Sequence, residues 1–260
     1  MKLTVVGCSG SMPGPESPAS CYVVQAGETT LVLDLGSGAI GPLQRVVDVG
    51  SIDAVVLSHL HPDHCLDLCG LYVGLRYGPW RGRPPVPVWG PARAGERLAR
   101  AYAVDGSRDL RSALDFGPYP AEPFRVGDIE VTATRVAHRS DQDPDWMEAF
   151  GIRLEASGRS IVYSGDTGMF DGLVELARGA DVLLCEASNA MDGASYPANL
   201  HLSGREAGEC ATAAGVGRLV LTHIPPWGDP EAARAAAASA FTGDVSLARP
   251  GMVIQVEPET

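Results

Sequence analysis

The sequence predicts a single α/β domain over residues 1–260, with sheets covered by helices. Three observations carry that prediction. Short apolar runs bounded by Gly, Pro or Asp recur along the chain. Helix signals fall between the later runs. No repeat, linker or low-complexity block interrupts the pattern, apart from an Ala-rich stretch at 231–241.

In chain order, strands are predicted at 3–6, 22–25, 31–35, 54–58, 86–89, 129–136, 151–155, 160–164, 182–185, 218–222 and 253–256. The early ones follow one another as hairpins, and the later ones alternate with helices. Helical spacing of apolar residues predicts helices at 66–77, 93–103 and 173–178. Two later helices carry start signals: a capping box from Ser203 to Glu206, and Asp229 as N-cap before Pro230.

The chain is 45% hydrophobic with 31 Gly and 20 Pro, an ordinary turn-rich globular composition. Its formal charge of -12 argues against a general nucleic-acid surface, which needs a basic footprint, so a large nucleic-acid partner is not expected. The opening "MKLTVVGCSGSMPG" has too short an apolar run for a signal peptide, whose core needs roughly 7–15 residues. No run approaches the ~18 apolar residues of a membrane span. Six cysteines without CxxC spacing read as reduced, buried thiols in a cytoplasmic protein. Cys65 and Cys69, one helical turn apart, read as core residues before ligands.

The chemistry concentrates in "SHLHPDH" at 58–64. Three of the chain's six histidines, His59, His61 and His64, stand there with Asp63, directly after an apolar run. His138 follows "VTATRVA", Asp166 follows "SIVYSG" and His223 follows "RLVLT". Four strand ends thus offer metal-ligand side chains, and rigid elements can hold such groups around one point. Imidazole with carboxylate suits zinc or another first-row divalent ion. Seven ligands exceed one tetrahedral zinc but suit two ions sharing a carboxylate.

The pattern His-x-His-x-Asp-His with a distant His, Asp and His resembles the metallo-β-lactamase superfamily. The resemblance implies an αββα sandwich, two packed mixed β-sheets with helices on the outer faces. It also implies that His59, His61 and His138 hold one ion, that Asp63, His64 and His223 hold the other, and that Asp166 bridges them. Asp34 in "LVLDLGSG" matches an early aspartate that supports the ligands from behind. Histidine at position 61, where electron-transfer relatives carry glutamate, points to hydrolysis with two zinc ions, manganese being the alternative.

Glu186 in "LLCEAS" and His201 in "NLHLSG" resemble the ribonuclease Z branch, in which such a pair assists proton transfer. Asp63, Glu186 and His201 are accordingly the expected catalytic residues. Two divalent ions against two carboxylates leave a site of net charge about +2, which attracts a phosphodiester anion to an oxygen nucleophile bridging the ions. Ribonuclease Z carries a long tRNA-gripping arm between the counterparts of His138 and Asp166. Here 27 residues separate them, and the segment at 139–148 is acidic.

A compact chain with "GCSGS", "YSGDTG", "HLSGREAG" and "LTHIPPW" is similar to the actinobacterial cyclic-nucleotide phosphodiesterases of this superfamily. That similarity implies hydrolysis of 3′,5′-cyclic AMP, a small anionic substrate, and a possible homodimer. Trp227 beside His223 and Arg76 in "LRYGPWRGR" are candidate substrate contacts, for base stacking and phosphate respectively. The rival readings are a tRNA 3′-endonuclease of the ribonuclease Z type, a hydrolase of lactones, thioesters or β-lactams, and a metal-binding regulatory protein without turnover.

Overall fold

The computed structural model describes residues 1–104, 109–138, 148–188 and 200–257. The acidic segment at 139–148 therefore lies outside the described residues except for Glu148.

The first sheet begins with an antiparallel meander of β1 (Lys2–Gly7), β2 (Cys21–Ala26) and β3 (Thr29–Leu33). It continues in parallel through β4 (Ala54–Val56), β5 (Val86–Gly90) and β6 (Leu114–Pro118). The second sheet repeats that plan. β7 (Phe124–Val126), β8 (Ile129–Arg135), β9 (Phe150–Ala156) and β10 (Arg159–Tyr163) are antiparallel. β11 (Val182–Glu186), β12 (Arg218–Thr222) and β13 (Asp244–Leu247) then add in parallel. The chain ends by returning β14 (Val253–Gln255) to the edge of β1. The two seven-stranded sheets therefore run β14-β1-β2-β3-β4-β5-β6 and β13-β12-β11-β10-β9-β8-β7.

Period-two patterning distributes the apolar side chains over both faces of each sheet. Leu31 and Leu33 point between the sheets, where they join Leu3, Val5, Tyr22, Ile161 and Leu184. Val32, between them in sequence, faces outward to Leu43, Leu71 and Leu98. Those three belong to α1 (Ile40–Val46), α3 (Leu68–Tyr77) and α4 (Ala94–Tyr102), with the single turn α2 (Pro62–Cys65) before α3. On the far side Val162, Leu183 and Leu219 meet α5 (Asp171–Ala177), α6 (Gly204–Ala214) and α7 (Pro230–Ala240) through Leu173, Cys210 and Ala237. The result is helices, sheet, sheet, helices. Strands buried on both faces carry continuous apolar runs, which explains why "TTLVL" and "VLLCE" show no alternation.

Several elements depart from the sequence prediction. β6, β7 and β13 lie at or near sheet edges, where one side needs no partner and the sequence can be polar or end in Pro118. The helix α1 was hidden by Gly41 and Pro42, which the first turn tolerates because its N–H groups have no intrahelical acceptor. The helix expected over 66–77 begins instead at Leu68, after Asp67 turns away to accept a hydrogen bond from Ile40 N at 2.8 Å. Strands expected to reach 35 and 58 stop at Leu33 and Val56, and the residues beyond leave the sheet to serve the site. All six cysteines are free thiols. Among the described residues, no helix is long and apolar enough to cross a membrane.

Candidate metal centre

Parallel strands direct their carboxyl ends to one edge of each sheet, and in α/β architectures that edge is where ligands bind. Asp34 follows β3, Ser58 and the histidine motif follow β4, Asp166 follows β10, Glu186 ends β11 and His223 follows β12. His138 arrives from the antiparallel strand β8. Within the motif, His61 is the N-cap of α2, with Pro62 at its first position. That single turn brings Asp63 and His64 back toward His59. Gly36 allows the turn to lie against the Asp34 loop, since a Cβ there would stand 1.9 Å from the Asp63 carbonyl oxygen.

The six histidines and the acids predicted with them converge. One ligand atom from each of His59, His61, His138 and Asp166 lies within 4.8 Å of every other, and the same holds for Asp63, His64, Asp166 and His223. Asp166 belongs to both groups. A third group joins Glu186, His201 and His223. His59 Nε2 stands 2.9 Å from His61 Nδ1, and His64 Nε2 stands 3.1 Å from His223 Nε2. Asp166 approaches His64 Nε2 to 3.3 Å and His59 Nε2 to 3.7 Å.

Hydrogen bonds behind the rings fix which nitrogen faces the centre. His64 donates from Nδ1 to Asp34 at 2.7 Å, and His138 donates from Nδ1 to the Leu200 carbonyl at 2.9 Å. The Ser188 hydroxyl donates to the His223 carbonyl at 2.6 Å, so it accepts from His223 Nδ1 at the same distance. Ser58 donates its hydroxyl to Asp34 at 2.7 Å and accepts from His59 Nδ1 at 3.1 Å. Each of these four rings thereby turns an Nε2 lone pair inward. While the rings are neutral, facing nitrogens at about 3 Å have no proton to donate to one another, and Asp166 Oδ1 is buried without a hydrogen-bond partner. The donor set fits divalent cations.

The electrostatics agree. Burial, then repulsion from neighbouring imidazoles, pushes His59 well below its ordinary value and His61 down to about 4. Burial likewise lowers His138. Neutral imidazole is the form that binds metal. Burial would raise the Asp166 carboxyl, but His223, His64 and His59 together hold it well below the carboxylate range. Burial would lower His64, yet Asp166, Asp34 and Asp63 raise it strongly. These carboxylates attract positive charge into the pocket, as a proton or as a cation.

Glu186 and His201 also meet: His201 Nδ1 lies 3.1 Å from both Glu186 oxygens. Burial opposes a charge on His201, but Glu186 outweighs it and lifts the ring to about 9. Glu186 is itself held by Thr167 N at 2.6 Å. Asp34 accepts from Ser58 N at 2.7 Å and from the Tyr163 hydroxyl at 2.9 Å, besides His64. Ser58, Tyr163, Thr167 and Ser188 are polar neighbours of the site that sequence reasoning missed, although all four sit inside the quoted motifs "SHLHPDH", "YSGDTG" and "LLCEAS".

The two candidate substrate contacts lie differently. Trp227 is 64% exposed in the turn after His223. Arg76 stands near the end of α3, about 14 Å along the helix from Asp67 at 1.5 Å per residue. It lines a cavity with Tyr77, Arg81, Arg83 and Ser112 that contains none of the converging histidines or acids.

A family model described as a β-lactamase superfamily domain matches residues 29–224. An uncharacterised protein of Mycobacterium tuberculosis is 46% identical over 94% of this chain and 88% of its own. A ribonuclease Z of Mycobacterium bovis is 32% identical over 99% of both chains. The crystal structure of the metallo-β-lactamase fold protein YhfI from Bacillus subtilis superposes with a TM-score of 0.84 at 27% identity, covering 98% of this chain and 99% of that one.

Proposed function

This chain belongs to the β-lactamase superfamily, on its ribonuclease Z-like side, and from that premise we propose that it hydrolyses small cyclic nucleotides to nucleoside monophosphates, 3′,5′-cyclic AMP foremost. The observation that carries the reading is the sharing of Asp166 by two ligand groups, with His201 Nδ1 3.9 Å from the same carboxylate. In this reading His59, His61 and His138 would hold one ion and Asp63, His64 and His223 the other, zinc before manganese, with Asp166 available to both. Divalent cations there would supply Lewis acidity, acidifying water and drawing charge from the phosphoryl group.

The chain's own residues do the rest. Asp63, more open than Asp166, accepts a hydrogen bond from the attacking water and orients it. Glu186 fixes the His201 ring and keeps a proton on it, and His201 passes that proton to the leaving ribose oxygen as the P–O bond breaks. The exposed Trp227 offers a stacking face for the base.

A small substrate is favoured by the space between His138 and Asp166. The β9–β10 hairpin takes up residues 150–163, which leaves only a short, acidic connection where a tRNA-gripping arm would need to extend. The second reading, a tRNA 3′-endonuclease, rests on the full-length similarity to ribonuclease Z. A panel of 3′,5′- and 2′,3′-cyclic nucleotides, an aryl phosphodiester, precursor tRNA and a lactone on metal-loaded protein separates them. Cyclic AMP turnover with inert precursor tRNA is expected, and preference for tRNA or lactone would displace the proposal. His201→Ala should slow diester hydrolysis on the order of 10²-fold or more while metal content stays unchanged.

A further inference from the structure

The cavity at the end of α3 is chemically unlike the rest of this acidic molecule. Its volume is about 650 Å³, within the range of small-ligand pockets, and its described walls include Arg76, Arg81 and Arg83 but no carboxylate. Among the described residues none of these three pairs with an acid, whereas eleven other arginines do. In a chain of net charge -12, three unneutralised guanidinium groups around one cavity call for an explanation.

The turn that carries Arg81 and Arg83 is built rather than loose. Trp80 donates its indole N–H to Asp48 at 3.1 Å, and its ring lies so close over Gly74 that a Cβ there would stand 2.6 Å from it. Arg83 donates to the carbonyl oxygens of Val49 and Ile52 at 3.0 and 2.8 Å, which fixes its position without neutralising its charge. Oδ1 of Asp48 accepts from both Trp80 and Gly50 N. Beside the arginines, Tyr77 is 62% exposed, with the Arg76 guanidinium 5.4 Å from its ring centroid.

We infer that this cavity is a second anion site, separate from the metal centre, which binds the phosphate of a nucleotide on Arg76, Arg81 and Arg83 and its planar base on Tyr77. Guanidinium groups suit phosphate oxygens because they donate in parallel pairs, and an aromatic face suits a base. Three cations match one or two phosphate groups. A polynucleotide would need a longer basic track, and the surrounding acidic surface opposes one. The inference stands whatever reaction the metal centre performs. It also accounts for Arg76, which the sequence suggested as a phosphate contact but which lies along α3 away from the histidines.

Calorimetric titration of the metal-loaded protein with AMP, at about 50 mM salt where phosphate contacts are least screened, tests it. One equivalent beyond any bound at the metal centre is expected, with adenosine failing to fill it. In Arg76→Gln/Arg81→Gln that equivalent should weaken at least tenfold, while metal content and aryl phosphodiester hydrolysis stay unchanged. Tyr77→Ala should weaken AMP more than inorganic phosphate. Undiminished AMP binding in the double variant would overturn the site, as would equal binding of adenosine. Much tighter binding of a single-stranded oligonucleotide, abolished in the same variant, would reassign the surface to nucleic acid.

Discussion

Asp34 shows how a side chain that faces no ligand position can govern the centre. It accepts from Ser58 twice, from Tyr163 and from His64, on a backbone with φ of +53° that few residues other than glycine, Asn or Asp adopt. Asp34→Asn keeps the size and the backbone preference but loses the carboxylate that orients His64. Divalent-ion affinity should fall about 10–100-fold with the fold intact, measured by chelator competition. Unchanged affinity would remove Asp34 from that role. His201 gives a pH prediction. Its folded value of about 9, against 6.5 unfolded, stabilises the chelated protein fully below about pH 6.5, and that stabilisation is lost as pH rises through about 9. Glu186→Gln should flatten this decline in urea-unfolding free energy between those limits; a slope equal to wild type would show that the pair is not linked to folding. At this scale the candidate ligands were legible, because metal chemistry restricts residue type. The supports were less so, because Ser58, Thr167 and Ser188 act through single hydrogen bonds that any polar turn residue could make.

Among the elements, α6 has the most explicit instructions. Ser203 accepts from Glu206 N while the Glu206 carboxylate accepts from Ser203 N at 2.7 Å, so both halves of the predicted capping box are present. Ser203→Ala should destabilise the protein by about 1 kcal/mol and loosen the turn that carries His201. Gly208 in the same helix is a counter-intuitive case. Alanine there gains about 1 kcal/mol of helix propensity, but its Cβ would lie 2.4 Å from the Ala237 carbonyl oxygen of α7. Gly208→Ala should therefore lower stability by about 1–3 kcal/mol in denaturant titration, and stabilisation would show that α7 yields freely. Central strands and capped helices were readable because burial and capping each restrict composition. The edge strands β6 and β7 and the helix α1 were not, since partial exposure or a tolerated Pro42 leaves no such restriction.

At the scale of the molecule, the two sheets are joined through the same region that forms the centre. Tyr22 of the first sheet hydrogen-bonds Thr222 of the second at 2.6 Å and packs against Tyr163, which in turn reaches Asp34. Cation binding at the centre should therefore stabilise the whole sandwich. Chelation should lower Tm by several degrees, and zinc or manganese should restore it in a concentration-dependent way, with two ions per chain by elemental analysis; an unaltered Tm would separate the centre from the fold. By itself the sequence determined the fold class, the candidate ligand residues and the acidic composition of the chain. Those properties follow from residue type and spacing, which any reading order preserves. Only the tertiary structure decided which candidate ligands gather around Asp166, which nitrogen four of the imidazoles turn inward, and that Arg76 lines a cavity containing none of the histidines. Those are distances between residues far apart in the chain, and they exist only once the strands have paired and the sheets have closed on one another.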